Sequence, residues 1–161
     1  MKKLFTYMTI FAAMTMMMMS CSKDEKDPVQ VSKDITGKDW QGYMDTYKGN
    51  NGAWKNMDER SFIVIRFNGA ANALKGDGYQ LEFKNSTMSG DPSDKSAFRW
   101  EIENGELHIV YTAGWTDVWI DYNNCTVTSE TFNGDMYDHN EHKYTFWLKA
   151  GVSIDWTKYF N

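Results

Sequence analysis

Disulfide chemistry has almost no material in this 161-residue chain, which holds two cysteines, Cys21 and Cys125. Stability must therefore come from a packed core. Positive charge is also short: 17 Lys and Arg face 22 Asp and Glu. Phosphate backbones and anionic membrane surfaces demand clustered Lys and Arg, so the balance argues against nucleic acid. No apolar run reaches the ~20 residues of a membrane-spanning helix; the run from Leu4 to Met19 has 16. No convincing long helical pattern occurs. Nucleophile motifs, phosphate loops and dinucleotide fingerprints are missing as well, and Gly76-Asp77-Gly78 lacks the helix that would follow it and reads as a turn.

What is present is two-residue alternation. In residues 97–112, Phe98, Trp100 and Ile102 alternate with Arg99, Glu101 and Glu103, and Leu107, Ile109 and Tyr111 alternate with Glu106, His108 and Val110. A period of two sorts side chains onto the two faces of a pleated ribbon. Asn104-Gly105 tolerates positive φ at both turn positions, as a type I′ hairpin requires. The stretch predicts a β-hairpin with one wet face and one aromatic face.

The same grammar recurs. Strands are predicted near 43–47, in Ser61 to Phe67 (apolar on both phases, hence covered on both faces), and at Tyr79-Leu81-Phe83. Others follow at Val118-Ile120-Tyr122, Thr126 to Phe132 and Tyr144-Phe146-Leu148. Asn133-Gly134-Asp135 is read as opening a polar loop, and Trp54 as lying in another. About eight short strands predict an all-β fold, a single antiparallel up-and-down barrel with a β-sandwich as the alternative. Trp119 and Trp147 fall on the outward phase, so the aromatic tail 152–161 is expected to pack over them.

Lys2-Lys3, the apolar run and Ser20 predict a signal peptide over residues 1–20. Ser20-Cys21 resembles the lipobox of bacterial lipoproteins, with Met18 where Leu is usual. The charged run Ser22 to Asp27 resembles the surface-export signal of Bacteroidota lipoproteins. The resemblance implies an acylated Cys21, anchorage to outer-membrane lipid and display at the cell surface. The leading twenty residues hold two of the basic residues and no acid, so the mature chain would carry 15 against 22, a net charge of −7. Residues 21–34 are read as the acylated Cys and a flexible charged tether; its thirteen residues after the Cys reach roughly 45 Å. A barrel domain is assigned to residues 35–161, with the tail on its outside. Gly37 closely followed by Trp40, with Phe67-Asn68-Gly69 and Phe132-Asn133-Gly134, resembles the lipocalin-like domains of small Bacteroidota lipoproteins.

For chemistry, Asp135, Asp138, His139, Glu141 and His142 offer zinc-like ligands, of which Asp138, His139 and His142 are the foremost, but their spacing matches no metal motif and a solvated loop explains them. Glu101, Glu103, Glu106 and His108 share the solvent phase, so no catalysis is expected of them. Cys125 has no activating base adjacent. No metal and no cofactor are expected, and the chain is read as a non-enzyme. The aromatics remain: Trp54, Trp115, Trp100, Tyr111 and Tyr122 are the expected ligand-binding residues at the barrel mouth, for a small amphipathic molecule or a glycan. Whether the interior is a lined pocket or solid side chains stays open, and with a solid core the chain would serve as an interaction subunit of an outer-membrane protein complex.

Overall fold

The computed structural model describes residues 25–160 apart from 85–87, 89, 114–116 and 152. The expected signal peptide, Cys21 and Trp115 lie outside the described residues. Strands β1 (Asp39–Asn50), β2 (Ala53–Asn68), β3 (Lys75–Phe83), β4 (Asp94–Glu103), β5 (Glu106–Tyr111) and β6 (Val118–Asp121) pair antiparallel in chain order. Two-residue β7 (Thr126–Val127), then β8 (Thr131–Asp138) and β9 (His142–Ala150), complete the sheet, with β9 returning to pair with β1. β6 meets β8 at Trp119–Tyr137 and β7 takes over the same edge at Val127–Phe132. The sheet is therefore a closed eight-strand up-and-down barrel, matching the lipocalin-like fold and not the sandwich. Closure removes the unpaired edges that would otherwise recruit other chains.

The 104–105 hairpin forms as its sequence dictates, with φ of 52° at Asn104 and 86° at Gly105. Phe98, Trp100, Ile102, Leu107, Ile109 and Tyr111 all point into the core. They meet Trp40, Phe67, Phe132, Phe146 and Leu148 from the other walls. Among the described residues the interior is filled by side chains: a void between Met44, Gln80, Phe132 and Met136 measures about 20 Å³. That is about the space of one water.

Several expectations need correcting. Residues 28–34 are not tether: helix α1 (Pro28–Ile35) closes one end of the barrel. Asp27 caps it by accepting from the Val29 amide, Pro28 stands in the first turn, and Val31 and Ile35 are buried in the core. Composition concealed this because the helix buries one narrow face and leaves the rest polar. Asn133 to Asp138 is strand, not loop; the break falls at 128–130, where the Thr128 hydroxyl accepts from the amides of Glu130 and Thr131. Residues 49–60 run on as a β1–β2 hairpin past the last pairings with β9 and β3, so Trp54 lies on a strand.

The apolar set of β3, which alternation alone would turn toward the interior with the other strands, faces the other way. Gln80 and Glu82 pair with Ile65 and Ile63 and face inward, while Tyr79, Leu81 and Phe83 face outward. Val64, Leu81 and Phe83 form a second core, covered by Phe62, Ile154, Trp156, Tyr159 and Phe160. The tail thus packs on the outside over β2 and β3, where Tyr79 stacks on Phe160 at 4.5 Å, and not over Trp119 and Trp147. Trp147 is left 43% exposed beside Tyr43 at 37%. An apolar set at period two shows that the two faces differ, but not which of them looks at the barrel axis.

Candidate functional site

The strands alternate direction, which gives the barrel two unlike ends. The closed end carries α1, the 69–74 loop, Asn104-Gly105 and the 122–130 segment. The open end carries the β1–β2 tip, the last residues of β3 and β5, the first residues of β4 and β6, and the β8–β9 turn. Of the expected ligand-binding residues, Trp100 and Tyr122 belong to the closed end and are buried, at 2% and 4% exposed. The Trp100 indole donates to the carbonyls of Asn68 and Asp77 and so locks a turn. Tyr111 is buried in the wall near the open end, where its hydroxyl donates to Gln80 Oε1 at 2.7 Å. These three are core residues. Trp54 is 43% exposed at the open end.

Trp54 is not alone there. Its ring lies 6.0 Å from Tyr137, which lies 6.2 Å from Trp119, which lies 4.9 Å from His139. Outward positions of β2, β8 and β6 and the β8–β9 turn are thereby joined into one strip along the outer wall of the rim. Strand register brings them together: Trp119 pairs with Tyr137, and Tyr137 with Lys143. Lys143 places its ammonium 4.7 Å over the Tyr47 ring and 5.9 Å over Trp54, and reaches Asp135 at 3.7 Å. A backbone bond from the Gly49 amide to the Glu141 carbonyl ties the hairpin to the β8–β9 turn. The strip therefore offers aromatic faces flanked by an ammonium, a carboxylate and an imidazole. Sequence reasoning named Trp54 and placed Trp119 outside but missed Tyr137, because its strand was read as loop.

The inner face of the open end is polar. Glu82 accepts from the Ser61 hydroxyl at 2.5 Å, and burial, opposed by that bond and aided by Asp94 and Glu59, raises its carboxyl above the ordinary range. Burial raises the phenols of Tyr111 and Tyr144 as well, so both stay neutral. Gln80 is 1% exposed, and its Nε2 has no hydrogen-bond partner among the described residues. The sign for Glu82 follows from linkage. Below the ordinary carboxyl value of 4.5 both folded and unfolded chains hold the proton. As pH rises from there, the unfolded chain ionises first and stability falls until the pH passes the raised folded value. Glu82→Gln keeps an acceptor for Ser61, so its melting temperature is expected to exceed that of the parent at pH 7 and to match it near pH 4.

The weak metal-ligand candidates of the sequence are dispersed. Asp135 faces outward, accepting from Thr145 Oγ1 at 2.6 Å, whereas Asp138 faces inward. Asp138 accepts from the amides of Asn140 and His142 and lies 3.0 Å from His142 Nδ1, so it builds the turn. Among the described residues no three His, Cys, Asp or Glu side chains converge as a metal group. Glu101 and Glu103 are exposed on the outer wall, and His108 pairs with Glu106 at 3.0 Å. Cys125 is buried where β6 gives way to β7, and burial pushes its thiol up to about 11, far from a nucleophile at neutral pH. Neither the protein-family models nor the curated proteins contain a match to this chain.

Proposed function

We propose that this chain is a surface lipoprotein, anchored to outer-membrane lipid through acylated Cys21, that acts as a non-catalytic binding module for a glycan at the barrel rim. The observation that carries the reading is the Trp54–Tyr137–Trp119 strip, three rings at about 6 Å spacing with polar side chains beside them. Pyranose C–H faces pack on exposed rings, while Lys143, Asp135 and His139 supply donors and acceptors for hydroxyl groups. The filled interior weighs against the other ligand class considered, an amphipathic molecule swallowed by the barrel, since a void of about 20 Å³ admits no acyl chain or macrocycle.

Retention on a glycan array followed by titration of the best hit tests this. Trp54→Ala is expected to weaken binding at least about tenfold, the usual loss for a central aromatic anchor. Val110→Ala, exposed on β5 away from the strip, should bind as the parent does. An array with no hit, or a hit indifferent to Trp54, would remove the reading.

A second reading has its own support. Trp147 and Tyr43, cross-strand neighbours, are both left exposed next to Phe62 over a shallow, open surface. A protein partner docked there would make the chain an interaction subunit of an outer-membrane complex. Co-purification from native membranes that Trp147→Ala abolishes and Trp54→Ala spares would favour it.

A further inference from the structure

We infer that the barrel stands on the bilayer by its closed end, with the 69–74 loop against the lipid headgroups and the Trp54–Tyr137–Trp119 strip held outermost. This rests on the acylation of Cys21 proposed above. The chain is pinned at that end before α1 begins. The Lys26 amide donates to Asn123 Oδ1 at 2.9 Å, and its ammonium donates to the carbonyls of Tyr122 and Asn123 at 2.8 and 2.9 Å. Two residues later α1 starts, and Val31 and Ile35 seat it in the core at 3% and 0% exposure.

The number of residues between the anchor and Lys26 then decides the posture. Five residue steps separate Cys21 from Lys26, which fully extended reach about 18 Å. The barrel is longer than that. From Trp54 to Asn68, β2 runs fourteen steps, about 45 Å along the strand and about 35 Å along the axis after strand tilt. An acyl group tethered at the closed end cannot reach the membrane from a barrel that stands on its rim, and the uncharged loop beside the tether favours standing on the closed end over lying flat. A thirteen-residue tether would have allowed either end to face down; α1 removes that freedom.

The surface so presented suits a headgroup layer. Gly69, Ala70, Ala71, Asn72, Ala73 and Leu74 are uncharged, and Leu74 is 38% exposed. This loop is fixed to the tethered helix, because the Ser32 hydroxyl donates to the Ala73 carbonyl at 2.5 Å, and to the sheet, because the Ile102 amide donates to the Leu74 carbonyl at 2.7 Å. It therefore cannot swing away from the point of attachment. The glycan strip is at the same time carried to the side remote from lipid, where extended polymers can reach it.

Nitroxide quenching tests the posture. The full-length acylated protein, in a Cys125→Ser background, is labelled with bimane at Leu74→Cys or Asn51→Cys. Each is reconstituted into phosphatidylethanolamine/phosphatidylglycerol vesicles carrying a headgroup nitroxide. Leu74→Cys is expected to lose most of its fluorescence and Asn51→Cys to lose none. Equal quenching, as for a barrel lying on its side, or quenching of Asn51→Cys alone, would overturn the inference while leaving the anchor intact. Flotation with the vesicles separates the two claims: a protein that does not float, or that floats equally well as Cys21→Ala, fails at the anchor and takes the posture with it.

Discussion

Trp40→Ala should cost about 4 kcal/mol of folding free energy, the usual loss when a buried aromatic is cut back to a methyl. Trp40 is 0% exposed and sits edge-on to Phe132 with centroids 5.8 Å apart. Its indole also donates to the Ile35 carbonyl at 2.8 Å, at the last residue of α1. Removing the ring leaves a cavity at the closed end and a helix carbonyl without its donor, so two costs act together. Trp40→Phe restores most of the packing and none of the bond, and should recover about three-quarters of the loss. Denaturant unfolding of both variants separates packing from the hydrogen bond. If Trp40→Ala unfolds within about 1 kcal/mol of the parent, this residue does not join α1 to the barrel.

Asp39→Ala, one residue earlier and on the opposite face of β1, is expected to release the tail. The Asp39 side chain is fully buried and serves three donors: Arg66 Nη1 at 3.0 Å, the Ile154 amide at 2.5 Å and the Trp156 indole at 2.9 Å. Truncation strands a guanidinium and two N–H groups. Arg66 is 27% exposed and can recover water, which places the loss near the low end for a broken buried pair, about 3 kcal/mol. Trp156 and Phe160 should then lift from Tyr79, uncovering Val64, Leu81 and Phe83. Limited proteolysis within residues 151–160 should accelerate in Asp39→Ala and not in Asp39→Asn, which retains an acceptor. Equal cleavage of parent and Asp39→Ala would show that the ring stack alone holds the tail.

Much of the barrel was legible because period two is a strong signal where a turn fixes the register. Asn104-Gly105 set the hairpin, and the inward sets Phe98-Trp100-Ile102 and Tyr144-Phe146-Leu148 followed. β3 misled because its apolar residues meet a tail some seventy residues further on, a contact no local pattern encodes. β8 was hidden by Asn133-Gly134, a turn signal in isolation. Here a glycine serves close approach instead: a Cβ on Gly134 would lie 2.1 Å from Cys125 Sγ. α1 did leave a trace in the sequence, since Asp27-Pro28 is an N-cap followed by a first-turn proline, with Val31 and Ile35 four apart on one face. The site was half legible for the same reasons: Trp54 stood out by type, but Tyr137 and Trp119 become its neighbours only when β6 closes on β8.

A filled barrel with its recognition surface on the outer rim is the claim on which the functional reading depends. Methyl NMR of Ile63, Ile109, Ile120 and Met136 during titration with a long-chain fatty acid tests it most directly. These methyls line the interior and should not move at any ligand concentration below micelle formation. Concerted, saturable shifts at all four, with one-to-one stoichiometry, would show that the interior opens to a ligand and would contradict a rim-only site.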